Sequence, residues 1–130
     1  MEVFYGFDLS TSSPVMQFEY RLPDFKLEII SAELFVPEGA NWQSLLSKIE
    51  IRVHVIAGVL LEYSAPIGLF NNPNSNQPFF ELDKVIDKRV FESGTDLSGI
   101  DKIHVKLELI QLQDISESFE FHFRTLTNCS

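Results

Sequence analysis

The sequence predicts an all-β fold: an antiparallel two-sheet β-sandwich, jelly-roll-like in its path, with seven to nine strands.

Three observations predict this fold class. Apolar and polar residues alternate with period two through residues 48–63, 102–109 and 118–125, which is typical of strands with one buried face. Residues 41–47 are the only segment with a plausible helical pattern. One side of each predicted strand is apolar, so a second layer must cover it. The 12 phenylalanines are expected to fill most of the space between the two sheets.

Three strands are predicted in the N-terminal part of the chain, over residues 3–9, 15–20 and 26–36. In the last of these the apolar positions change parity between Ile29 and Ile30. One extra residue in a β-bulge produces such a change, so we expect a bulge at this point.

The middle of the chain begins with the candidate helix, Asn41–Ser47, which has one or two turns at most. Residues 48–63 follow as the longest alternating segment, and we interpret them as one strand. Apolar residues from Ile49 to Tyr63 share one parity, while the polar face begins with Lys48 and continues to His54.

The C-terminal part supplies predicted strands over residues 79–86, 102–109 and 118–125, with a further short strand over 89–92. Residues 71–78 are rich in asparagine and proline, which predicts an exposed loop. Long connections between long strands favour a Greek-key or jelly-roll path over a meander. The immunoglobulin version is disfavoured because its Cys–Trp–Cys framework is absent.

Length and charge exclude several classes of protein. A chain of 130 residues is expected to form one β-sandwich domain, residues 1–130. Its formal net charge of −9 excludes the usual nucleic-acid-binding protein and argues against docking on an anionic membrane. We find no signal-peptide pattern and no apolar stretch of spanning length, and the single cysteine, Cys129, forms no intramolecular disulfide. We expect a soluble protein without a cofactor.

Three histidines, His54, His104 and His122, lie on the polar faces of the three clearest strands. If those strands were neighbours, the imidazoles could converge on a metal ion, as in a cupin-like metalloenzyme. The usual cupin signature has two histidines one residue apart, whereas Arg52 occupies the first of these positions here. Cross-strand ion pairs with neighbouring charged residues are the favoured interpretation, so we predict no metal site.

Sequence motifs for catalysis are also missing. The sequence has no Gly-x-Ser-x-Gly nucleophile elbow and no glycine loop that would cradle a phosphate. Cys129 has no fixed base beside it. We therefore predict that the protein is not an enzyme and has no catalytic residues.

Trp42 is a candidate ligand platform, because it lies in a polar connection between predicted strands. Carbohydrate-binding modules are commonly β-sandwiches that offer such rings to the flat faces of sugars. The favoured alternative is that Trp42 folds back and covers the open end of the sandwich, as large amphipathic rings often do.

A candidate oligomer interface consists of four apolar residues at outward strand positions: Ile56, Leu60, Ile110 and Leu112. A neighbouring copy would cover such residues, whereas a monomer would leave them in water. Two alternatives stay open. Either a bulge at Gly58 shifts the register, or the loop over residues 71–78 covers the patch.

These observations favour a non-catalytic structural or assembly subunit that forms a homo-oligomer. The leading hypothesis is a viral (phage) virion component, such as a capsid, vertex or decoration protein, with copies of itself and other structural proteins as partners. Its negative charge favours the outside of the shell over contact with the genome. Otherwise we expect a cytoplasmic protein. The alternative function is a carbohydrate-binding or receptor-recognition module with a glycan as partner, and the third is a cupin-like metalloenzyme.

Overall fold

A computed structural model describes residues 2–59, 61–67, 78–91 and 93–128. Eight strands form within these residues: β1 (Glu2–Ser10), β2 (Val15–Arg21), β3 (Lys26–Phe35), β4 (Ile49–Ala57), β5 (Leu61–Ile67), β6 (Phe79–Asp87), β7 (Lys102–Gln111) and β8 (Glu120–Asn128). One α-helix, α1 (Trp42–Leu46), and two 3-10 turns, Leu22–Asp24 and Lys88–Val90, complete the regular structure of this part. None of its helices is long and apolar enough to cross a lipid bilayer.

The strands form two antiparallel sheets of four strands each. Sheet A has the order β1-β8-β3-β6, and sheet B has the order β2-β7-β4-β5. The pairing is nested along the chain, because β1 pairs with β8, β2 with β7, β3 with β6 and β4 with β5. An eight-strand hairpin rolled into two sheets in this way is a jelly roll. The predicted two-sheet sandwich and its jelly-roll path are confirmed.

The hydrophobic core lies between the two sheets and takes one side of every strand. Leu9, Val53, Leu107, Phe121 and Phe123 are fully buried there. Aromatic rings contact one another across and along the sheets, and Phe7 stacks on Phe123 with ring centroids 5.2 Å apart. The strict alternation of the sequence therefore has its expected cause, since inward positions are apolar and outward positions meet solvent.

One buried hydrogen bond joins the two sheets inside this core. The Thr127 hydroxyl on β8 donates to the phenol oxygen of Tyr20 on β2, and it lies 3.3 Å from the Lys26 carbonyl oxygen. Burial raises the pKa of Tyr20, although the hydrogen bond from Thr127 acts in the opposite direction. Neutral Tyr20 is thereby favoured in the folded protein.

The predicted bulge in the third strand is confirmed. The register of β3 shifts between Ile29 and Ser31 against both of its partners, β6 and β8. Against β8, Ile30 is the extra residue, and its insertion turns Ala32 and Leu34 into the core, where Ile29 is also buried. One additional residue thus reconciles two parities within a single strand.

Residues 48–63 are not one strand, and this part of the prediction was wrong. The chain reverses after Ala57, so that β4 and β5 form a hairpin in which Ala57 is opposite Leu61. Gly58 adopts φ +65° in this reversal, a left-handed conformation that residues with a Cβ disfavour. Gly58 therefore marks the end of a strand rather than a bulge within one.

The predicted helix over residues 41–47 is confirmed as α1. Asn41 caps its N-terminus, because the side-chain Oδ1 accepts a hydrogen bond from the Ser44 backbone N–H at 3.1 Å. Leu45 is the buried residue that anchors this short helix to the core.

The predicted short strand over residues 89–92 does not form. Lys88–Val90 is a 3-10 turn, and Glu92 lies outside the described residues. Asp87 caps the turn by accepting a hydrogen bond from the Arg89 backbone N–H at 2.9 Å. The predicted loop over residues 71–78 and the terminal Cys129 also fall outside the described residues, except for Pro78.

Candidate assembly surfaces

The outer side of sheet A, called face A here, carries a set of exposed apolar side chains. Its exposed and half-buried side chains, from strand parity and register, are those of Phe4, Asp8, Lys26, Glu28, Glu33, Phe35, Phe79, Glu81, Val85, Asp87, Glu120, His122, Arg124 and Leu126. Phe4 is 59%, Phe35 52%, Phe79 41% and Val85 41% exposed. These four make up half of the large apolar residues that are exposed in the described part of the chain.

One end of face A is a cross-strand row that combines apolar and charged groups. Phe4 is opposite Leu126, which is opposite Glu28, which in turn is opposite Val85. The Arg124 guanidinium lies over the Phe4 ring, 5.1 Å from its centroid. This cation–π contact covers one side of an exposed ring and leaves the rest of it in solvent.

A short contact ties the edge strand β1 to its neighbour on the same face. His122 Nδ1 lies 2.6 Å from Asp8 Oδ1. The imidazole also lies over Gly6, where an added Cβ would come within 3.1 Å of His122 Cε1. Gly6 therefore leaves room for the ring against the backbone of β1. His122 and Asp8 act on face A as a cross-strand pair.

The outer side of sheet B, called face B here, has a different composition. Its exposed and half-buried side chains are those of Val15, Gln17, Glu19, Arg21, Glu50, Arg52, His54, Ile56, Glu62, Ser64, Pro66, Lys102, His104, Lys106, Glu108 and Ile110. Charged residues of both signs alternate here with a few half-buried apolar residues. Face B is thus polar and mixed in charge, whereas face A presents phenylalanine.

Two of the predicted interface residues, Ile56 and Ile110, lie on face B and are half-buried. They do not form one patch, because β4 and β7 are antiparallel. Ile56 is opposite His104 at one end of the pair, and Ile110 is opposite Glu50 at the other.

The other two predicted interface residues lie away from that pair. Leu112 follows β7 and is 58% exposed. Leu60 lies outside the described residues. An interface at these four positions stays a prediction.

His54 occupies the centre of face B between two carboxylates. Its Nε2 lies 3.1 Å from Glu108 Oε1 on β7, and its Nδ1 lies 3.5 Å from Glu62 Oε1 on β5. The side chain is only 14% exposed. Within the described residues, Nδ1 is a buried polar atom without a hydrogen bond. Protonated His54 would link three strands through two ion pairs.

The three histidines do not converge on a common centre. His54 and His104 are on face B, whereas His122 is on face A, on the opposite side of the sandwich. His104 Nδ1 lies 3.8 Å from Glu19 Oε2. Among the described residues, no three His, Cys, Asp or Glu side chains are grouped so that they could hold a metal ion. Each imidazole instead lies beside a carboxylate on a neighbouring strand.

Trp42, the candidate ligand platform, packs against the core at the start of α1. Its ring lies edge-on to Phe80, with centroids 6.1 Å apart and an interplanar angle of 73°. It is half-buried. The indole thus covers buried Phe80, which is the arrangement of the favoured alternative. A sugar platform at Trp42 stays a prediction.

A pocket of about 510 Å³ opens beside the β4–β5 hairpin. Its lining is mainly apolar: Ala57, Gly58, Val59, Leu61, Thr95, Asp96, Gly99 and Ile100. Hydrogen bonds from the side chain and backbone N–H of Ser98 lower the pKa of Asp96. A sugar needs several polar groups around it, and this lining offers few of them.

Among solved structures, the chain is similar to the Drosophila NLP core. The two chains are 17% identical and superpose with a TM-score of 0.49, over 94% of this chain and 96% of that one. The crystal structure of the Drosophila protein gave insight into its pentamer formation and its histone binding. A similarity of this strength assigns neither a family nor a partner to the present chain. No family model matches the chain, and no curated protein sequence does.

The outward phenylalanines are the feature that sequence reasoning missed. Phenylalanine was expected between the sheets, where Phe7, Phe25, Phe80, Phe119, Phe121 and Phe123 are indeed buried. Phe35, however, follows buried Leu34 and takes the outward position beyond the bulge. Its parity was therefore a signal that could be read from the sequence. The same holds for Phe4, whose parity is opposite to that of buried Phe7 and Leu9.

Proposed function

We propose that this chain is a non-catalytic structural subunit that assembles with copies of itself, and that face A is a contact surface. The observation that carries the proposal is the exposure of Phe4, Phe35, Phe79 and Val85 on one side of one sheet. Exposed large apolar side chains grouped on one face are typical of protein–protein contact sites. Aromatic residues contribute a large share of the binding energy in such contacts.

The composition of the core supports a structural role. Its buried polar residues, within the described part of the chain, are Ser31, Thr125 and Thr127. The described histidines and carboxylates lie on the outer faces and in connections rather than in the core. General acid–base catalysis depends on titratable groups held in a sheltered cleft. The arrangement of this chain serves packing and contact better than proton transfer.

The proposal extends to a setting in a virion, as a capsid, vertex or decoration protein. Eight-strand jelly rolls build viral capsids, although lectins and cupins also use them, so the fold supports the setting without assigning it. A formal net charge of −9 suits a position away from the genome. Packaging or portal genes beside this gene would support the setting, and neighbouring glycoside hydrolase genes would contradict it.

Sedimentation velocity on the purified protein tests self-association directly. The wild-type chain is expected to sediment as a species heavier than its monomer mass of 14.9 kDa. The double variant Phe4→Thr, Phe79→Thr keeps strand propensity while removing two exposed rings, and should weaken association by about tenfold or more.

The matched control for this variant is Val59→Thr. Val59 is 99% exposed beside the β4–β5 turn and is not on face A, so the control should associate as the wild type does. A wild-type protein that remains monomeric at high concentration contradicts the proposal. Equal weakening of association in the control would indicate that the contact does not involve face A.

A further inference from the structure

The two outer faces differ in charge. Face A carries six carboxylates against two basic side chains, Lys26 and Arg124, a formal excess of four negative charges. Face B carries four carboxylates and four basic side chains, together with His54 and His104. The negative charge of the chain is therefore distributed unequally between the two sides of the sandwich.

In the described part of the chain, the charges without an ion pair are mainly acidic on face A, where Arg124 is the exception, and basic on face B. Face A has four carboxylates with no ion pair among the described residues: Glu28, Glu33, Glu81 and Glu120. On face B, Glu19 pairs with Lys102 at 3.3 Å and Glu50 pairs with Arg52 at 3.3 Å. Arg21 and Lys106 are the face B cations without an ion pair within the described ranges.

We propose that self-association is head-to-tail, so that face A of one copy docks on face B of the next. This inference rests on the proposed function. A contact between two copies of face A would oppose unpaired carboxylates to unpaired carboxylates, and like charges brought together are unfavourable. A contact between two copies of face B would leave Phe4, Phe35 and Phe79 in solvent. The contact between unlike faces covers the phenylalanines and also brings Arg21 and Lys106 to the acidic face, where they can pair with two of its four unpaired carboxylates.

Face B offers apolar area to receive the phenylalanines. Ile56 and Ile110 are half-buried at its two ends, and Val15 is 37% exposed on its edge strand. Arg21 and Lys106 lie on the same face, so face B offers both apolar area for the rings and positive charge for carboxylates of face A. The predicted interface residues Ile56 and Ile110 thereby belong to the receiving side of the contact.

A contact between unlike faces has a consequence for the assembly. Each copy uses a different surface for each of its two neighbours, so growth gives a closed ring if the rotation between copies closes and an open filament if it does not. A contact between like faces would stop at the dimer. The head-to-tail contact therefore predicts assemblies larger than two copies.

Complementary variants test the inference by sedimentation. The face A variant Phe4→Thr, Phe79→Thr and the face B variant Arg21→Glu, Lys106→Glu should each associate at least about tenfold more weakly than the wild type. Mixed in equal amounts, they should form a heterodimer, because one supplies an intact face B and the other an intact face A. In a contact between like A faces, the face B variant would instead assemble alone and the mixture would gain nothing.

The control for the face B variant is Lys48→Glu, Lys88→Glu, which changes the net charge equally at two turn residues outside the strands of both faces. It should associate as the wild type does at moderate ionic strength. Circular dichroism and the melting temperature check that each variant folds. If the charge reversal fails to fold, Arg21→Gln, Lys106→Gln replaces it.

Ionic strength supplies an independent readout. Raising NaCl from about 50 mM to about 500 mM shortens the screening length and should weaken the head-to-tail contact severalfold. A contact between two acidic faces would strengthen instead. Salt-strengthened association, or a face B variant that assembles normally, overturns the head-to-tail arrangement while the proposed self-association stands. A monomeric wild-type protein overturns both.

Discussion

Thr127 donates a hydrogen bond to the phenol oxygen of Tyr20 across the space between the two sheets. The two residues are on β8 and β2, which belong to different sheets and share no ladder. Both are buried, Tyr20 at 7% exposure and Thr127 at 5%. A polar contact in an apolar layer specifies how the sheets are placed against each other, because sliding of one sheet would separate the Tyr20 hydroxyl from Thr127.

Replacement of Tyr20 tests this contact through stability and its pH dependence. Tyr20→Phe should lower the free energy of unfolding by about 1 kcal/mol at neutral pH, the usual net value of one hydrogen bond. The folded pKa of Tyr20 is raised above its ordinary value of 10.0, so the stabilisation from neutral Tyr20 is present below pH 10 and lost as the pH rises through the folded pKa. Urea unfolding at about pH 8 and about pH 10.5 measures both effects. The difference in the free energy of unfolding between variant and wild type should shrink at the higher pH. A constant difference would contradict the raised pKa of Tyr20.

Two phenylalanines on neighbouring strands of sheet A lie in opposite environments and give a test of the fold. Phe121 is fully buried, whereas Phe35 is 52% exposed on face A. Phe121→Ala should cost about 3–5 kcal/mol because it leaves a cavity in the core. Phe35→Ala should lower the free energy of unfolding much less than Phe121→Ala does in dilute solution, where face A is not covered. Denaturant unfolding of the two variants compares them, and similar losses would contradict the outward placement of Phe35.

Asp87 provides an acid-side test at the end of β6. The hydrogen bond from the Arg89 side chain lowers the pKa of Asp87 below its ordinary value of 3.8, and the Arg89 backbone N–H adds to the effect. Asp87→Ala should cost about 1 kcal/mol through loss of the cap, and Asp87→Asn should cost less, because it keeps an acceptor and the ion pair is exposed.

The pH dependence of the Asp87 effect has a defined sign. A depressed folded pKa means that the stabilisation is present above the unfolded pKa and is lost as the pH falls through the folded one. The stability difference between the wild type and Asp87→Asn should therefore narrow below about pH 4. Unfolding curves between about pH 3 and about pH 6 measure this stability difference. A difference that stays constant over this range would contradict the pairing with Arg89.

Gly58 provides a test of the hairpin that the sequence pattern did not reveal. An alanine at this position meets only Ile100, at ordinary contact distances of 3.7 and 3.8 Å, so the cost arises from the backbone. At φ +65°, Gly58→Ala should destabilise the fold by about 1–2 kcal/mol. Gly58→Asn should cost less, because asparagine tolerates the left-handed region. Equal melting temperatures for the two variants would contradict this conformation.

The strands that alternate against solvent could be predicted well from the sequence. β7 is the clearest case, since Ile103, Val105 and Leu107 face the core and the residues between them face water. The hairpin after Ala57 could not be predicted in the same way. Ala57 and Leu61 are opposite each other and both point inward, and they are an even number of residues apart. Alternation therefore continues in phase through the reversal and hides it.

The assembly surfaces could be predicted only in part, because periodicity does not contain the pairing of the strands. The direction in which β4 and β7 run relative to each other decides whether Ile56 and Ile110 are neighbours, and only the pairing register supplies it. The outward position of Phe35 depends on the bulge at Ile30. Composition assigns phenylalanine to a core because most large apolar residues are buried, and face A departs from that expectation.

The position of β8 bears on how the chain acquires its fold during synthesis. β8 is the last strand in the sequence, yet it lies in the interior of sheet A, between β1 and β3. Until residues 120–128 have left the ribosome, the edge strand β1 has no ladder partner in its sheet and most of sheet A stays open. Such non-local pairing is slow to form, so the apolar sides of β1 and β3 stay accessible on the nascent chain until β8 has been synthesised.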